Sequence, residues 1–234
     1  MQHFQATLVL LAACAFAVSP LIATGFNGFE PDQFPAPQTD PPVQPAGYAF
    51  SIWLVIYVWL IAGAAFGLWR RAEDPAWTSM RWPLFISLAI GAGWLSVAQV
   101  SPIWAAVMIW MMLGGALWAL VRAGGQDRFW LPAPIAVYAG WLTAASCVAL
   151  ALNLAGYGFV SAQVAALVML VVALVIAATV VAARPGTPEY AGAVIWALIA
   201  VVVANASPPN LPVLILSILG ILGLGFLAWR NRAA

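Results

Sequence analysis

The chain has no lysine, a single histidine and two cysteines in 234 residues, and charged side chains make up only 6% of it. So few charges cannot keep a soluble domain solvated. With a hydrophobic fraction of 65% and a mean hydropathy of +1.01, the chain belongs in a bilayer. Cys14 and Cys147 both fall inside apolar runs, where a thiol behaves as a small hydrophobe, so neither a disulfide framework nor a thiolate metal site is expected. His3 stands beside the N-terminus, and clusters of His, Cys, Asp and Glu at metal-ligand spacing are missing, which argues against haem or metal ligation by this chain. A close pair of carboxylates, a nucleophile with a base and a phosphate-binding glycine loop are missing too, so the expectation is a binding protein rather than an enzyme. No nucleic-acid partner is expected.

What is abundant is apolar sequence of helix-spanning length. Runs of about 17 to 25 residues cross a bilayer as helices, and such runs fall at 4–24, 47–69, 82–100, 103–122, 132–154, 162–183, 190–206 and 211–229. This predicts an all-α, polytopic integral membrane bundle of about eight transmembrane helices. The eight basic residues, all arginine, test that count. Arg70, Arg71 and Arg81 follow the second run, Arg122 and Arg128 the fourth, Arg184 the sixth, and Arg230 and Arg232 the last. All fall on one side, while the opposite side receives Glu30, Asp32 and Asp40. The positive-inside rule then puts both termini in the cytoplasm of a bacterial-type inner membrane. The first run is read as a retained helix, because "MQHF" offers no basic n-region and apolar residues continue past Cys14 to Ile22.

The segment 25–46 is rich in proline and carries Phe26, Phe29 and Phe34; three rings in an external loop suggest a flap over the end of the bundle. Among the 13 tryptophans, Trp69, Trp77, Trp82, Trp130 and Trp229 neighbour arginines and read as interfacial anchors. Trp53 and Tyr57, four residues apart, share one helix face. In the fifth run, Tyr138 and Trp141 precede Thr143, Ser146 and Asn153, which form a mildly polar stripe about 80° wide at 100° per residue. That stripe serves either as interhelical glue or as a set of donors aimed into a pocket. Gly63 with Gly67, Gly114 with Gly115, and Gly220 with Gly223 and Gly225 mark close helix contacts.

Three of these segments, "PAGYAFSIWLVIY", "QVSPIW" and "YAGWLTAAS", resemble the TspO/MBR family, the tryptophan-rich sensory or translocator proteins. The family's aromatic entrance falls on Pro45, Gly47, Tyr48 and Phe50, its Trp-xxx-Tyr pair on Trp53 and Tyr57, and its Tyr-xx-Trp on Tyr138 and Trp141. The resemblance implies a five-helix bundle with a pocket beneath the first long loop, porphyrin, haem or cholesterol as ligand, and a homodimer. A light- and oxygen-dependent breakdown of protoporphyrin has been proposed for some bacterial members. On this reading residues 1–156 are the five-helix bundle with external loop 25–46, and residues 157–234 add three transmembrane helices and a short cytoplasmic tail. The chain departs from the family at "VSPIW", where Trp104 replaces phenylalanines, and at Ala149, where the family carries asparagine; Asn153 lies one turn farther on.

The function expected is a sensory or regulatory membrane protein that binds a flat apolar ligand, such as a non-covalently held tetrapyrrole. Trp53, Tyr57, Trp94, Trp104 and Trp141 would stack around it, and Ser146 or Asn153 would orient a polar edge. Tetrapyrrole carboxylates need countercharge, yet Arg70 and Arg71 stand at the wrong end of their helix. Membrane lipids and the ligand are the expected partners, with no metal. Facilitated transport of a small apolar solute is one alternative, since no mid-span charge supports ion coupling. A structural or assembly subunit of a membrane complex is another.

Overall fold

The computed structural model describes residues 1–23 and 28–231; Phe26 and Arg232 lie outside the described residues. The helices are α1 (Gln2–Ile22), α2 (Ile52–Arg70), the short α3 (Pro75–Thr78), α4 (Arg81–Ala98), α5 (Pro102–Arg122), α6 (Pro132–Gly156), α7 (Ala162–Ala183), α8 (Pro188–Ala204) and α9 (Leu211–Arg230). A 3-10 turn over Gly47–Ser51 leads into α2. Pro75, Pro102, Pro132, Pro188 and Pro212 sit in first turns, where a missing N–H leaves no helical bond unmade. The hydroxyls of Ser101 and Ser161 cap α5 and α7 by accepting from the Trp104 and Val164 N–H groups at 3.4 and 3.3 Å.

Among the described residues, seven helical segments are long and apolar enough to cross a membrane, and α8, at 17 residues, is a shorter apolar helix. α8 nevertheless runs the depth of the bundle. Near its start Glu189 pairs with Arg128 at 2.6 Å, and just past its end Asn205 donates to the Pro42 carbonyl at 2.9 Å. At 1.5 Å per residue it is about 25 Å long, close to a hydrocarbon thickness of about 30 Å.

The helix ends sort onto two faces. The buried Arg81 guanidinium donates to the carbonyls of Gln2, Arg71 and Ala72 at 3.0, 2.8 and 2.7 Å, gathering the first residues, the α2–α3 link and α4. Arg184 donates to the carbonyls of Leu120 and Ala123, and Asn231 to that of Val181. The described arginines and both ends of the described chain thus share one face. At the other face Gln33 donates to the carbonyls of Ala98 and Gln99, and Ala36 N–H to that of Gly156.

Of the tryptophans read as interfacial anchors, Trp69, Trp82 and Trp229 are exposed and Trp130 is half-buried, stacked on Phe66 with ring centroids 5.2 Å apart. Trp77 is a core residue instead, only 1% exposed. Its ring lies where a Cβ on Gly67 would collide with it, and its indole N–H donates to Asp127 Oδ2 at 3.1 Å. A polar partner and a helix surface bare of side chain draw this ring inward.

α6 is the axis of the bundle. It packs against α2, α5, α7 and α8 and is buried nearly all round, as befits a helix apolar on every face. Its polar groups bond to its neighbours. Tyr138 shares a 2.9 Å hydrogen bond with Ser87 of α4, and Thr143 one of 2.7 Å with Tyr190 of α8. Ser146 and Asn153 donate to the Ile109 and Pro102 carbonyls of α5 at 3.2 and 3.1 Å. Each such bond is worth about 0.6 kcal/mol inside a membrane; made to α4, α5 and α8, they fix its rotation.

Candidate functional site

Residues 28–51 form a roof over the arginine-free face. Phe34 is buried against Gly156, where no side chain could stand, and meets the rings of Phe29 and Tyr157 edge-on. Farther along, the roof is fastened to α8. Ala46 N–H donates to the Ala200 carbonyl at 3.1 Å, Trp196 Nε1–H to that of Ala49 at 3.0 Å, and Tyr48 meets the Trp196 ring at 5.4 Å. The ring-rich entrance to α2 is therefore seated on protein along α8.

Beneath this roof lies a cavity of about 80 Å³. Phe29, Val43, Gln44, Pro45 and Phe50 close it from above, Trp94 and Ile109 bound it on the α4 and α5 side, and Trp141, Ala145, Cys147, Val148 and Leu152 are among the α6 residues that form one wall. α7 supplies Met169, Leu170 and Ala173, and α8 supplies Val194, Ala197, Leu198 and Val201. The lining holds no charged side chain. Of its polar side-chain groups, the Trp94 indole N–H already donates to the Ala105 carbonyl at 2.8 Å, and Gln44 sits half-buried in the roof. The Trp141 indole nitrogen is buried without a hydrogen-bond partner among the described residues.

The residues singled out in the sequence divide into three groups. Trp141 and Trp94 line the cavity. Trp53 and Tyr57 stand behind it, stacked at 5.5 Å and 16°, with Trp53 edge-on to Trp141 at 6.0 Å. Phe16 of α1 fills the space beside them, edge-on to Trp53, Tyr57 and Tyr138 at 5.6, 5.0 and 5.7 Å. Trp104 is remote, 64% exposed on the outer surface of α5. Ser146 and Asn153 are turned to α5 carbonyls and lie outside the cavity lining. Sequence reasoning missed Phe16 and the whole α7–α8 wall. The regularly spaced buried alanines of these helices, Ala166, Ala173 and Ala177 on α7 and Ala193, Ala197 and Ala200 on α8, of which Ala173 and Ala197 line the cavity, were the available signal.

Such a chamber can hold an apolar body in van der Waals contact. A family model described as TSPO-like protein matches residues 5–229. The chain belongs to the TSPO-like family. The match takes in α7, α8 and α9 as well as the first five spans, so the TSPO-like sequence includes every wall of the cavity. No curated protein and no solved structure matches the chain. As a TSPO-like chain with seven apolar segments of spanning length, it is a multi-pass membrane protein of the sensory or transport type, embedded in lipid.

Proposed function

We propose that this protein is a membrane sensor that binds a small, mainly apolar molecule in the cavity under the 28–50 roof, without covalent attachment. The observation that carries this reading is an apolar cavity walled by α4 to α8, free of charged side chains among the described residues and covered by a segment tied to three helices. Its volume, about 80 Å³, is well below the 300–1,000 Å³ typical of sites for drug-sized ligands. A tetrapyrrole would need the roof to lift and a countercharge for its carboxylates, and the described arginines stand at the opposite end. A compact apolar ligand fits better. The arginine-bearing end is assigned to the cytoplasm of a bacterial-type inner membrane, as the positive-inside rule directs.

The test is purification with native lipid in mild detergent, followed by mass spectrometry of extracted lipophiles. The wild type should retain a species that is lost from Ala145→Phe and Ala197→Phe, two variants that fill the chamber from opposite walls. Identical extracts from all three proteins would overturn the reading, and a Soret band in the wild type would identify a tetrapyrrole instead.

A further inference from the structure

α2 and α8 both pack on α6, and between them they leave an apolar furrow on the outside of the bundle. Ile52 and Val55 of α2 form one side, Gly192, Ala193 and Trp196 of α8 the other, and Val137 of α6 lies between. Its volume is about 430 Å³, within the range of about 300–1,000 Å³ found for small-molecule sites. Gly192 keeps it open. A Cβ on Gly140 would strike the Tyr190 carbonyl, so that glycine serves helix packing, whereas a Cβ on Gly192 would meet no atom within 4 Å. From Glu189 to Trp196 the α8 side runs about 10 Å at 1.5 Å per residue, less than one leaflet of a hydrocarbon core about 30 Å thick.

The two ends of the furrow differ. At the roof end the Trp196 indole N–H is held by the Ala49 carbonyl at 3.0 Å. At the arginine end Glu189 lines the furrow and pairs with Arg128 at 2.6 Å. Arg128 also donates through Nε to the Gly186 carbonyl at 3.2 Å, which holds the guanidinium in place, yet its side chain is 51% exposed. We propose that this furrow is a site for one phospholipid of the leaflet on the arginine side, with an acyl chain lying between α2 and α8 and the phosphate on the Arg128 guanidinium. An apolar furrow facing the bilayer gains dispersion contacts when a chain fills it and loses them when it stands empty, and the bilayer supplies that chain. The charge at the mouth selects the headgroup. A guanidinium matches phosphate in charge and geometry, and basic pockets between transmembrane helices hold lipid headgroups in this way. The Glu189 carboxylate is already paired with Arg128, so it opposes a phosphate less than a free carboxylate does. The site is separate from the chamber under the roof and independent of what that chamber binds.

The probe is a phosphatidylglycerol with a diazirine in one acyl chain, added to the full chain after delipidation in a maltoside detergent; peptide mass spectrometry maps the adducts formed on illumination. Adducts should concentrate at 52–55 and 189–196, and unlabelled phosphatidylglycerol should displace them at about a fifth of the concentration needed for a diacylglycerol with the same chains. Gly192→Leu, which fills the furrow, should lower these adducts about fivefold and leave unchanged those on lipid-facing Val168, Val171 and Val175 of α7. Val55→Phe, a change at an exposed position, narrows the furrow from α2 and should act in the same direction. Arg128→Gln should abolish the preference for phosphatidylglycerol over diacylglycerol, and Arg128→Lys should keep most of it. Adducts as dense along α7 as in the furrow, and undiminished in Gly192→Leu and Val55→Phe, would mean boundary lipid only and would overturn the site. Equal displacement by the two lipids from the wild type would overturn the phosphate contact with Arg128, and with it the phospholipid as occupant. A second copy of the chain cross-linked at α8 in place of lipid adducts would overturn the proposal in favour of a protein interface.

Discussion

Phe34 covers Gly156, and two residues later the Ala36 N–H donates to the Gly156 carbonyl at 2.9 Å. The roof is pinned to α6 at Gly156, where the helix offers a bare backbone. Gly156→Val would put side-chain atoms inside the Phe34 ring. Overpacking of that kind costs about 1–3 kcal/mol, so the lifted state should gain about fivefold or more in population. Chymotrypsin cleavage after Phe29, whose ring packs on Phe34, measures it in nanodiscs; a rate equal to that of the wild type would show that the roof is held elsewhere.

Phe16 is expected to matter more than any exposed ring of its size. It fits among Trp53, Tyr57 and Tyr138 and is 2% exposed, whereas Phe226 of α9 is 57% exposed. Phe16→Ala should destabilise the bundle by about 3 kcal/mol, and Phe226→Ala by a few tenths at most. Unfolding in mixed detergent and dodecyl sulfate gives both values, and similar losses would refute the assignment.

Asp127 gathers the loops of the arginine face. Arg71 donates to it through Nε at 2.7 Å and Nη2 at 3.2 Å, Trp77 through its indole N–H, and the Asp127 carbonyl accepts from the Trp130 and Leu131 N–H groups. The Arg71 hydrogen bonds, the largest influence, hold the carboxyl below its ordinary value against the opposing effect of partial burial. A carboxylate lowered in the folded state stabilises above its unfolded pKa, about 3.9, and this contribution is lost as pH falls through the lower folded value. Thermal melts of the wild type should therefore lose stability below about pH 4. Asp127→Asn should melt lower at neutral pH and lose part of that acid dependence; superimposable profiles would contradict the linkage.

The proposed orientation can be read with single cysteines in a Cys14→Ala, Cys147→Ala background. Thr39→Cys lies in the roof and Gln126→Cys between α5 and α6, at opposite ends of the bundle. An impermeant maleimide added to intact cells should label the first and spare the second. The reverse pattern would place the arginines outside.

The bundle was legible in the sequence because membrane physics writes in long runs and in the placement of charge. Span lengths located the helices to within a few residues, and the arginines sorted their ends. The nearness of Trp53, Tyr57 and Trp141 followed from helix spacing and family resemblance. The α7 wall was not legible, because α7 is apolar on every face. In lipid an exposed valine costs nothing, so Val168, Val171 and Val175 face outward while Ala166, Ala173 and Ala177 pack inward; size, not polarity, chooses the buried side. Trp77 was misread for the complementary reason, since its burial depends on Gly67 and Asp127, remote in sequence. Nothing in the one-dimensional pattern distinguishes the satisfied indole of Trp94 from the orphaned one of Trp141.

The walls of the chamber belong to parts of the chain that are made at different times. In chain order α6 reaches the membrane ahead of α7 and α8, and until they pack against it the face carrying Trp141, Ala145 and Val148 lacks the protein that covers it in the finished bundle. The proposed binding surface thus borders the membrane's solutes while the chain is being built. It is covered when Met169 and then Ala197 are laid against it, so a ligand of the proposed site could enter during assembly.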